Sequence, residues 1–317
     1  MKDEFEFIHY IKKSYGLTTI GDDCAVLPKD RLTDSVVTAD MLVEDIDFRL
    51  EWTKPEWLGH KALAVSLSDI AAMGATPEWS LLTLGIPEKL WQTDFVKQFY
   101  EGWTALAAEF EVELVGGDIS RTPERLVVDS IVGGSVSKGR AVLRSGARTG
   151  DAIFVSGRLG GAAGGLKLLE RFRGRAHWND LEEGLIERQL RPTPRIELGR
   201  YLLENELANA MIDISDGLSS DLHHICEESR VGAEIDASLL PVDKDIRKLF
   251  TSDESLSMAI NGGEDFELLF AVPKEKIAQL DRDDVTRVGT VTQYPDVVEL
   301  IDGEERVALR PSGYRHF

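Results

Sequence analysis

Acidic residues recur in this chain beside glycine or another small residue, at the ends of apolar stretches. Six segments share this pattern: 20–26 (IGDDCAV), 37–40 (VTAD), 66–69 (SLSD), 114–118 (LVGGD), 212–217 (IDISDG) and 261–265 (NGGED). Hard divalent cations such as Mg²⁺ prefer oxygen ligands, one or two carboxylates each, with phosphates and waters completing the shell. Carboxylates at strand ends converge at the sheet edge where α/β proteins bind ligands. The pattern therefore favours a site for metal ions and phosphates.

Each of these aspartates also has an ordinary structural interpretation. An aspartate beside glycine is typical of a turn in which the side chain bonds its own backbone, and Asp216 also suits the cap of a helix that starts at Gly217. Asp69 is different, because it lies inside an apolar, helix-like stretch where an unpaired carboxylate is costly. Six such segments in one chain favour the metal site over six separate turns.

Other phosphate-binding and hydrolytic motifs are absent from the sequence. It contains no P-loop, no GxGxxG after a strand, no GxSxG elbow and no HExxH. The glycine cluster at 157–165 has two interpretations, a phosphate cradle or close helix packing, and packing is favoured. No histidine lies in an acidic segment, and the adjacent His223 and His224 are expected to be solvated. Cys24 is expected to be a small buried residue, because its acidic neighbours disfavour a thiolate.

Charge and composition restrict the possible partners. The chain has 317 residues, 43% of them hydrophobic, with 36 Lys+Arg against 56 Asp+Glu and a net charge of −20. That charge repels phosphate backbones and anionic lipid, so we expect neither nucleic acid nor a membrane as a partner. Two cysteines, an acidic N-terminus and no long apolar run indicate a cytoplasmic protein.

Strand-like and helix-like stretches alternate along the chain, which predicts an α/β or α+β fold. Strands are predicted at 35–39, 80–86, 112–115, 126–137, 152–156, 210–214 and 266–272, with smaller ones towards the end. Helices are predicted at 1–13, 57–73, 93–111, 160–171, 196–205 and 217–229. The polar, glycine-punctuated stretch at 138–150 suits a junction, so we predict one domain at 1–138 and a second at 139–317.

Seven motifs resemble those of thiamine-monophosphate kinases and occur in the same order. They are GDDCAV at 21–26, TAD at 38–40, KALAVSLSDIAAMGA at 61–75, LVGGD at 114–118, RSGA at 144–147, DISDGLSSDL at 213–222 and GGEDFELLF at 262–270. The resemblance extends from Gly21 to Gly313 and Tyr314, nearly the whole chain. One departure is Ser66, where the family commonly has a longer asparagine.

The resemblance implies a fold and an activity. The family belongs to the superfamily of aminoimidazole-ribotide synthetase and selenophosphate synthetase. Its N-terminal α/β domain binds ATP and metal and pairs its strands with those of a second copy in a homodimer, and a C-terminal α+β domain packs against it. The implied reaction is the ATP-dependent phosphorylation of thiamine monophosphate to thiamine diphosphate with several Mg²⁺ ions.

The resemblance also assigns candidate site residues. The implied metal ligands are Asp23, Thr38, Ala39 through its carbonyl, Asp40, Asp69, Asp118, Asp213 and Asp216. The implied nucleotide contacts are Gly117, Asp118, Arg144 and Ser215. The implied contacts to the thiamine substrate are Asp47, Glu264 and Tyr314.

The chemistry of the acceptor agrees with these assignments. A phosphate monoester has a second pKa of about 6, so its oxygen is largely ionised at neutral pH and needs no general base. We therefore expect direct in-line transfer assisted by metal ions, with no catalytic side-chain base. Two alternatives stay open, another ATP-using synthetase of the same superfamily and a non-catalytic acidic metal-binding protein.

Overall fold

Two mixed β-sheets and their helices form the protein, in a computed structural model that describes residues 4–172 and 177–314. The helices are α1 (Glu4–Tyr15), α2 (Pro55–Ala72), α3 (Glu88–Trp91), α4 (Phe95–Glu109), α5 (Gly161–Arg171), α6 (Asp180–Leu190), α7 (Ile196–Glu204), α8 (Leu218–Ser229), α9 (Ile246–Leu249) and α10 (Ser252–Asn261). The strands are β1 (Ala25–Pro28), β2 (Thr33–Val43), β3 (Thr76–Pro87), β4 (Glu113–Thr122), β5 (Val127–Ser137), β6 (Ala152–Ser156), β7 (Ala210–Asp213), β8 (Gly232–Asp236), β9 (Leu268–Val272), β10 (Val285–Thr292), β11 (Val298–Asp302) and β12 (Glu305–Ala308).

The first sheet comes from the N-terminal part of the chain and has the strand order β1-β2-β5-β3-β4. Its pairs are antiparallel except β3 with β4, which run parallel. Alternate residues of β2 and β5 are buried, as expected for a sheet with one covered face. The covered face packs against α2.

The second sheet comes from the C-terminal part and has the order β12-β11-β8-β10-β6-β9-β7. Its central strands β6 and β9 are buried at every residue, so both faces of the sheet are covered. Phe154 of β6 packs into the core that contains α2, whereas Ile153 and Val155 pack into a second core with α5, α6 and α8. One apolar core therefore runs continuously from the first sheet to the second.

Helix α2 lies between the two sheets and carries site residues into their interface. It packs against β2 and β5 on one side, β7 and α7 on the other, and α4 along its length. Buried residues occur all around it, which is why its sequence is apolar on every face. Close approach to α4 requires Gly59 and Gly102, where an added Cβ would lie 1.9 Å from the carbonyl oxygen of Phe99 and 1.8 Å from that of Glu56.

The α/β two-domain fold predicted from the sequence is confirmed. The predicted strand at 152–156 has the observed bounds, while the strand predicted at 112–115 is longer and continues to Thr122 in β4. The predicted junction follows the end of β5 directly, and residues 1–3 of the first predicted helix lie outside the described residues. Among the described residues, no helix is both long and apolar enough to cross a membrane.

Candidate active site

Four aspartates from four different segments meet between the two sheets. Asp23 precedes β1, Asp40 lies in β2, Asp69 lies in α2, and Asp213 ends β7. Carboxylate oxygens of Asp23, Asp69 and Asp213 all lie within 4.8 Å of one another. We call these four residues the aspartate group, and all four were candidates from the sequence.

Each member of the aspartate group receives a side-chain hydrogen bond from a donor on a neighbouring element. The pairs are Thr38 Oγ1 with Asp69, Ser66 Oγ with Asp40 at 2.7 Å, Ser68 Oγ with Asp213 at 2.6 Å, and Arg144 Nη2 with Asp23 at 2.7 Å. Ser66 thus reaches Asp40 despite its short side chain. These donors orient the carboxylates but supply only one positive charge for four acidic groups.

Burial changes the protonation of the aspartate group. It raises the pKa of Asp40 to about 6 and that of Asp213 to about 8. The pKa of Asp69 is raised well above its usual value, first by burial and then by the charge of Asp40. Four carboxyls cannot all be ionised so close together without added positive charge.

The chemistry of this donor set fits a divalent cation. Among the described residues, the buried Oδ2 of Asp23 has no hydrogen-bond partner. An unsatisfied buried carboxylate oxygen is costly unless it is paired or coordinated. The aspartate group therefore has the ligand type, the spacing and the unmet charge that Mg²⁺ satisfies.

A second group of possible metal ligands lies in the segment that follows β7. Asp216 in the loop between β7 and α8, together with Asp221 and His224 of α8, offers ligand atoms within 4.8 Å of one another. Asp221 and His224 were missed from the sequence, although their three-residue spacing on one helix puts them on one face. His224 is partly buried, and burial lowers its pKa to about 4, so the expectation of a solvated residue was wrong. His223 is also partly buried, its Nδ1 lying 2.6 Å from the Ser219 carbonyl oxygen.

The loop from Ser215 to Asp216 is held by the two segments that carry predicted substrate contacts. The Glu264 amide donates to the Ser215 carbonyl at 2.8 Å, and the Tyr314 amide donates to the Asp216 carbonyl at 3.1 Å. Tyr314 is 47% exposed beside this loop. Predicted metal, nucleotide and substrate residues are thus joined through one stretch of backbone.

Gly117 and Asp118 lie on β4, the exposed edge strand of the first sheet. The strand register links Asp118 to Met41 of β2 in three steps. Asp118 is aligned with Thr83 of β3, Thr83 with Asp129 of β5, and Asp129 with Met41. Met41 is 62% exposed on the face that lies away from α2. The register therefore places Asp118 on that outer face.

Asp40 belongs to the opposite face. It is aligned with the buried Ser130, and both receive contacts from α2 through Ser66. Since β5 and β3 separate β2 from β4, Asp118 lies three strand spacings from Asp40, about 14 Å. The fold of a single chain does not bring Asp118 to the aspartate group.

The remaining candidates occupy local structural positions. Ala39 lies between Thr38 and Asp40 in β2 and is aligned with Ile131. Asp47 closes the turn after β2, where its Oδ2 accepts a hydrogen bond from the Val43 amide at 2.8 Å.

The glycine cluster at 157–165 serves packing. The carboxylate of Asp265 accepts hydrogen bonds from the amides of Gly160 at 2.6 Å and Ala162 at 3.1 Å, at the start of α5. An added Cβ at Gly165 would lie 2.2 Å from the Leu185 carbonyl oxygen. A side chain of the protein therefore already occupies this helix terminus, which favours packing over a phosphate cradle.

Cys24 is buried, as expected. Burial, followed by the charges of Asp69 and Asp23, raises the pKa of its thiol well above the usual value. A thiolate nucleophile is therefore disfavoured at this position.

The whole chain is similar to known proteins. Residues 21–136 match the family model described as AIR synthase related protein, N-terminal domain, and residues 148–301 match the corresponding C-terminal domain. The chain is 38% identical to the thiamine-monophosphate kinase of Bacillus subtilis over 99% of both chains. It is 39% identical to that of Escherichia coli K12, over 94% of this chain and 91% of the relative.

Solved structures agree with the sequence relatives. A structure described as AaThiL complexed with AMPPCP and TMP has a TM-score of 0.89 and 35% identity, covering 99% of this chain and 97% of that one. Thiamine-monophosphate kinase from Stenotrophomonas maltophilia has a TM-score of 0.80 and 38% identity, covering 95% of this chain and 97% of its own. This chain belongs to the thiamine-monophosphate kinase family.

Proposed function

We propose that this protein transfers the γ-phosphoryl group of ATP to thiamine monophosphate and so forms thiamine diphosphate. The observation that carries the proposal is the meeting of Asp23, Asp69 and Asp213 beside the Ser215–Asp216 loop to which Glu264 and Tyr314 are bonded. Full-length relatives that carry this name support the same reaction. A relative complexed with AMPPCP and TMP supports ATP and thiamine monophosphate as the two substrates.

The reaction needs charge neutralisation more than it needs a base. The ionised acceptor phosphate is itself the nucleophile, and it must approach another polyanion. Two unit charges 4 Å apart repel by about 4 kcal/mol even at an effective dielectric of 20. The aspartate group, with Asp216 as a further ligand, would hold Mg²⁺, whose positive charge would offset this repulsion. We infer direct in-line transfer with no phosphorylated protein side chain.

The chain itself positions the groups that act on the phosphates. The hydroxyls of Thr38, Ser66 and Ser68 each donate to a carboxylate of the aspartate group and fix its orientation. Arg144, held by Asp23, is a candidate contact to the nucleotide phosphates. Ser215 lies in the loop beside the metal ligands and is the other nucleotide contact that we propose on this side of the site.

We infer further that the protein is a homodimer and that Gly117 and Asp118 complete the site of the partner copy. Within one chain, Asp118 is on the outer face of the first sheet, far from the aspartate group. That face and its edge expose Met41, Val115 and Ile119, which suits burial against a second sheet. Such pairing lets each Asp118 act as a metal and nucleotide ligand across the interface.

Both cysteines are free and buried, which supports the expected cytoplasmic setting.

Asp47 remains the third proposed contact to thiamine, in addition to Glu264 and Tyr314. Its carboxylate lies in the turn that follows β2, the strand of Thr38 and Asp40.

The test is an assay of ADP release from Mg-ATP with thiamine monophosphate, free thiamine or no acceptor in parallel. We expect ADP only with the monophosphate, matched by an equal amount of thiamine diphosphate. ADP release without thiamine diphosphate would point to a sister enzyme of the superfamily. Binding of Mg²⁺ without binding of ATP would point to a non-catalytic metal-binding protein.

A further inference from the structure

Lys61 is a buried, positively charged residue with no role in the proposed phosphoryl transfer. It lies on α2, its side chain is only 2% exposed, and its Nζ is 2.7 Å from Oε1 of Glu264. The same Nζ donates to the backbone carbonyl of Gln189 at the end of α6, at 3.1 Å. A buried ammonium is costly unless it is paired and hydrogen-bonded, and Lys61 has both kinds of partner.

Glu264 is held at both of its carboxylate oxygens. Lys61 pairs with Oε1, and the side-chain amide of Gln189 donates to Oε2. The backbone of Glu264 has φ +66°, a strained value for a residue with a side chain, and its amide is bound to Ser215. Two long-range side-chain contacts and one backbone contact thus fix where this carboxylate points.

The geometry separates the role of Glu264 from that of its two partners. The Glu264 side chain is 28% exposed, whereas Lys61 and Gln189, which contact it, are buried. A carboxylate oxygen has two lone pairs, so each oxygen of Glu264 keeps one for a ligand. Lys61 and Gln189 are too deeply buried to contact a substrate themselves.

We propose that Lys61 and Gln189 are positioning residues that hold the Glu264 carboxylate for the organic part of the substrate. Thiamine monophosphate carries a cationic thiazolium ring and an aminopyrimidine, and a fixed carboxylate attracts the first and accepts a hydrogen bond from the second. The phosphates would be bound elsewhere, by metal ions held on the aspartate group. The proposal rests on the proposed function, because it concerns the same substrate.

This division of labour predicts a selective kinetic effect. Lys61→Met keeps the length of the side chain but removes the charge, which frees the carboxylate to move. The KM for thiamine monophosphate is expected to rise about tenfold or more, since a charged hydrogen bond is lost from the support of Glu264. The KM for ATP and kcat are expected to stay within about threefold of the wild type.

Gln189→Met provides a second variant that keeps the ion pair and removes only the amide donor. It is expected to raise the KM for thiamine monophosphate about three- to tenfold. The matched control is His60→Leu, which removes a buried hydrogen bond from the neighbouring position of α2 to Pro192 and does not touch Glu264. We expect His60→Leu to lower the thermal unfolding midpoint without raising this KM.

A double-mutant cycle distinguishes positioning from general damage. If Lys61 acts through Glu264, Lys61→Met adds nothing to the KM of Glu264→Gln. Additive effects, or a rise in the KM for ATP as large as that for thiamine monophosphate, would overturn the proposal. If Lys61→Met does not fold, the same cycle with Gln189→Met decides. A wild-type protein without acceptor-dependent ADP release would instead overturn the proposed function itself.

Discussion

At the scale of single residues, the site is a balance between burial and charge. Ser66, Ser68 and Thr38 satisfy one oxygen of each of three aspartates, while burial still raises the pKa of Asp40 and Asp213. A cluster of this kind destabilises the metal-free fold, because like charges are held together. Binding of a divalent cation removes this repulsion, so we expect the cation to stabilise the fold.

Asp213→Asn tests this balance. It keeps the hydrogen bond from Ser68 but removes the charge, so kcat/KM is expected to fall by about 100-fold or more. The free energy of unfolding without Mg²⁺ should not decrease, since burial already raises the pKa of Asp213 to about 8 and a neutral amide avoids the cost of burying an ionisable carboxyl there. The matched control is Asp34→Asn on β2. Asp34 is a buried aspartate outside the aspartate group, and its Oδ2 accepts a hydrogen bond from the Gly139 amide at 2.7 Å. Equal losses of activity in both variants would contradict the assignment.

Asp265 gives a prediction for the pH dependence of stability. Burial is the main cause that raises its pKa from 3.8 to about 7. Hydrogen bonds from the Gly160 and Ala162 amides oppose this rise, while the charge of Glu267 adds to it and that of Arg188 reduces it. The folded state then binds the proton more tightly than the unfolded state, so this contribution to stability is lost as pH rises from about 4 to about 7.

Asp265→Asn should remove this loss. Urea titrations at several pH values are expected to show that the free energy of unfolding of the wild type, relative to the variant, falls by roughly 2 to 4 kcal/mol across that window. Parallel curves for the two proteins would show that Asp265 has an ordinary pKa in the folded state.

At the scale of elements, α2 decides the geometry of the site. It carries Lys61, Ser66, Ser68 and Asp69 within one helix and packs against both sheets. Its direction is fixed by the close crossing with α4 at Gly59 and Gly102. Small changes at that crossing should therefore affect stability and site together.

Gly102→Ala is the direct test of the crossing. Its Cβ would lie 1.8 Å from the Glu56 carbonyl oxygen, so we expect the free energy of unfolding to fall by about 2 kcal/mol or more. Gly184→Ala on α6 is the control, because nothing lies within 4 Å of its added Cβ. That variant should gain about 0.5 to 1 kcal/mol from the better helix propensity of alanine. Chemical unfolding of both proteins gives the comparison.

Two helices that the sequence prediction missed carried a readable signal. Helix α6 begins with a capping box between Asn179 and Glu182, and α10 begins with one between Thr251 and Glu254. Both helices are rich in charged or small residues, so their apolar spacing is weak, and only the capping pattern marks them. Helix α6 supplies Gln189, which is why the partner of Glu264 was missed.

At the scale of the whole molecule, the position of Asp118 gives a test of the proposed dimer. The mass in solution is expected to be twice 35.2 kDa. Asp118→Asn and Asp213→Asn should each be inactive as a pure protein. In a mixed dimer, however, the chain with an intact Asp213 receives an intact Asp118 from its partner, so one of the two sites works.

Subunit exchange between the two inactive variants measures this. With equal amounts and random pairing, half of the dimers are mixed and each has one working site, so activity is expected to return to about a quarter of the wild-type value. If Asp118 serves the site of its own chain, mixing restores nothing. A Leu239→Asp variant on the exposed C-terminal surface should leave both mass and activity unchanged.

The sequence by itself determined the family, the two-part α/β fold and the candidate aspartates of the site. These follow from local patterns: the motif order, the apolar runs such as 152–156, and carboxylates placed where apolar strands end. Only the tertiary structure decided which of them meet. Ser68 and Asp213 are 145 residues apart, Lys61 finds Gln189 across 128 residues, and the face of Asp118 depends on the register of four strands. Such contacts come from packing α2 between two sheets, and no local pattern of residues encodes that packing.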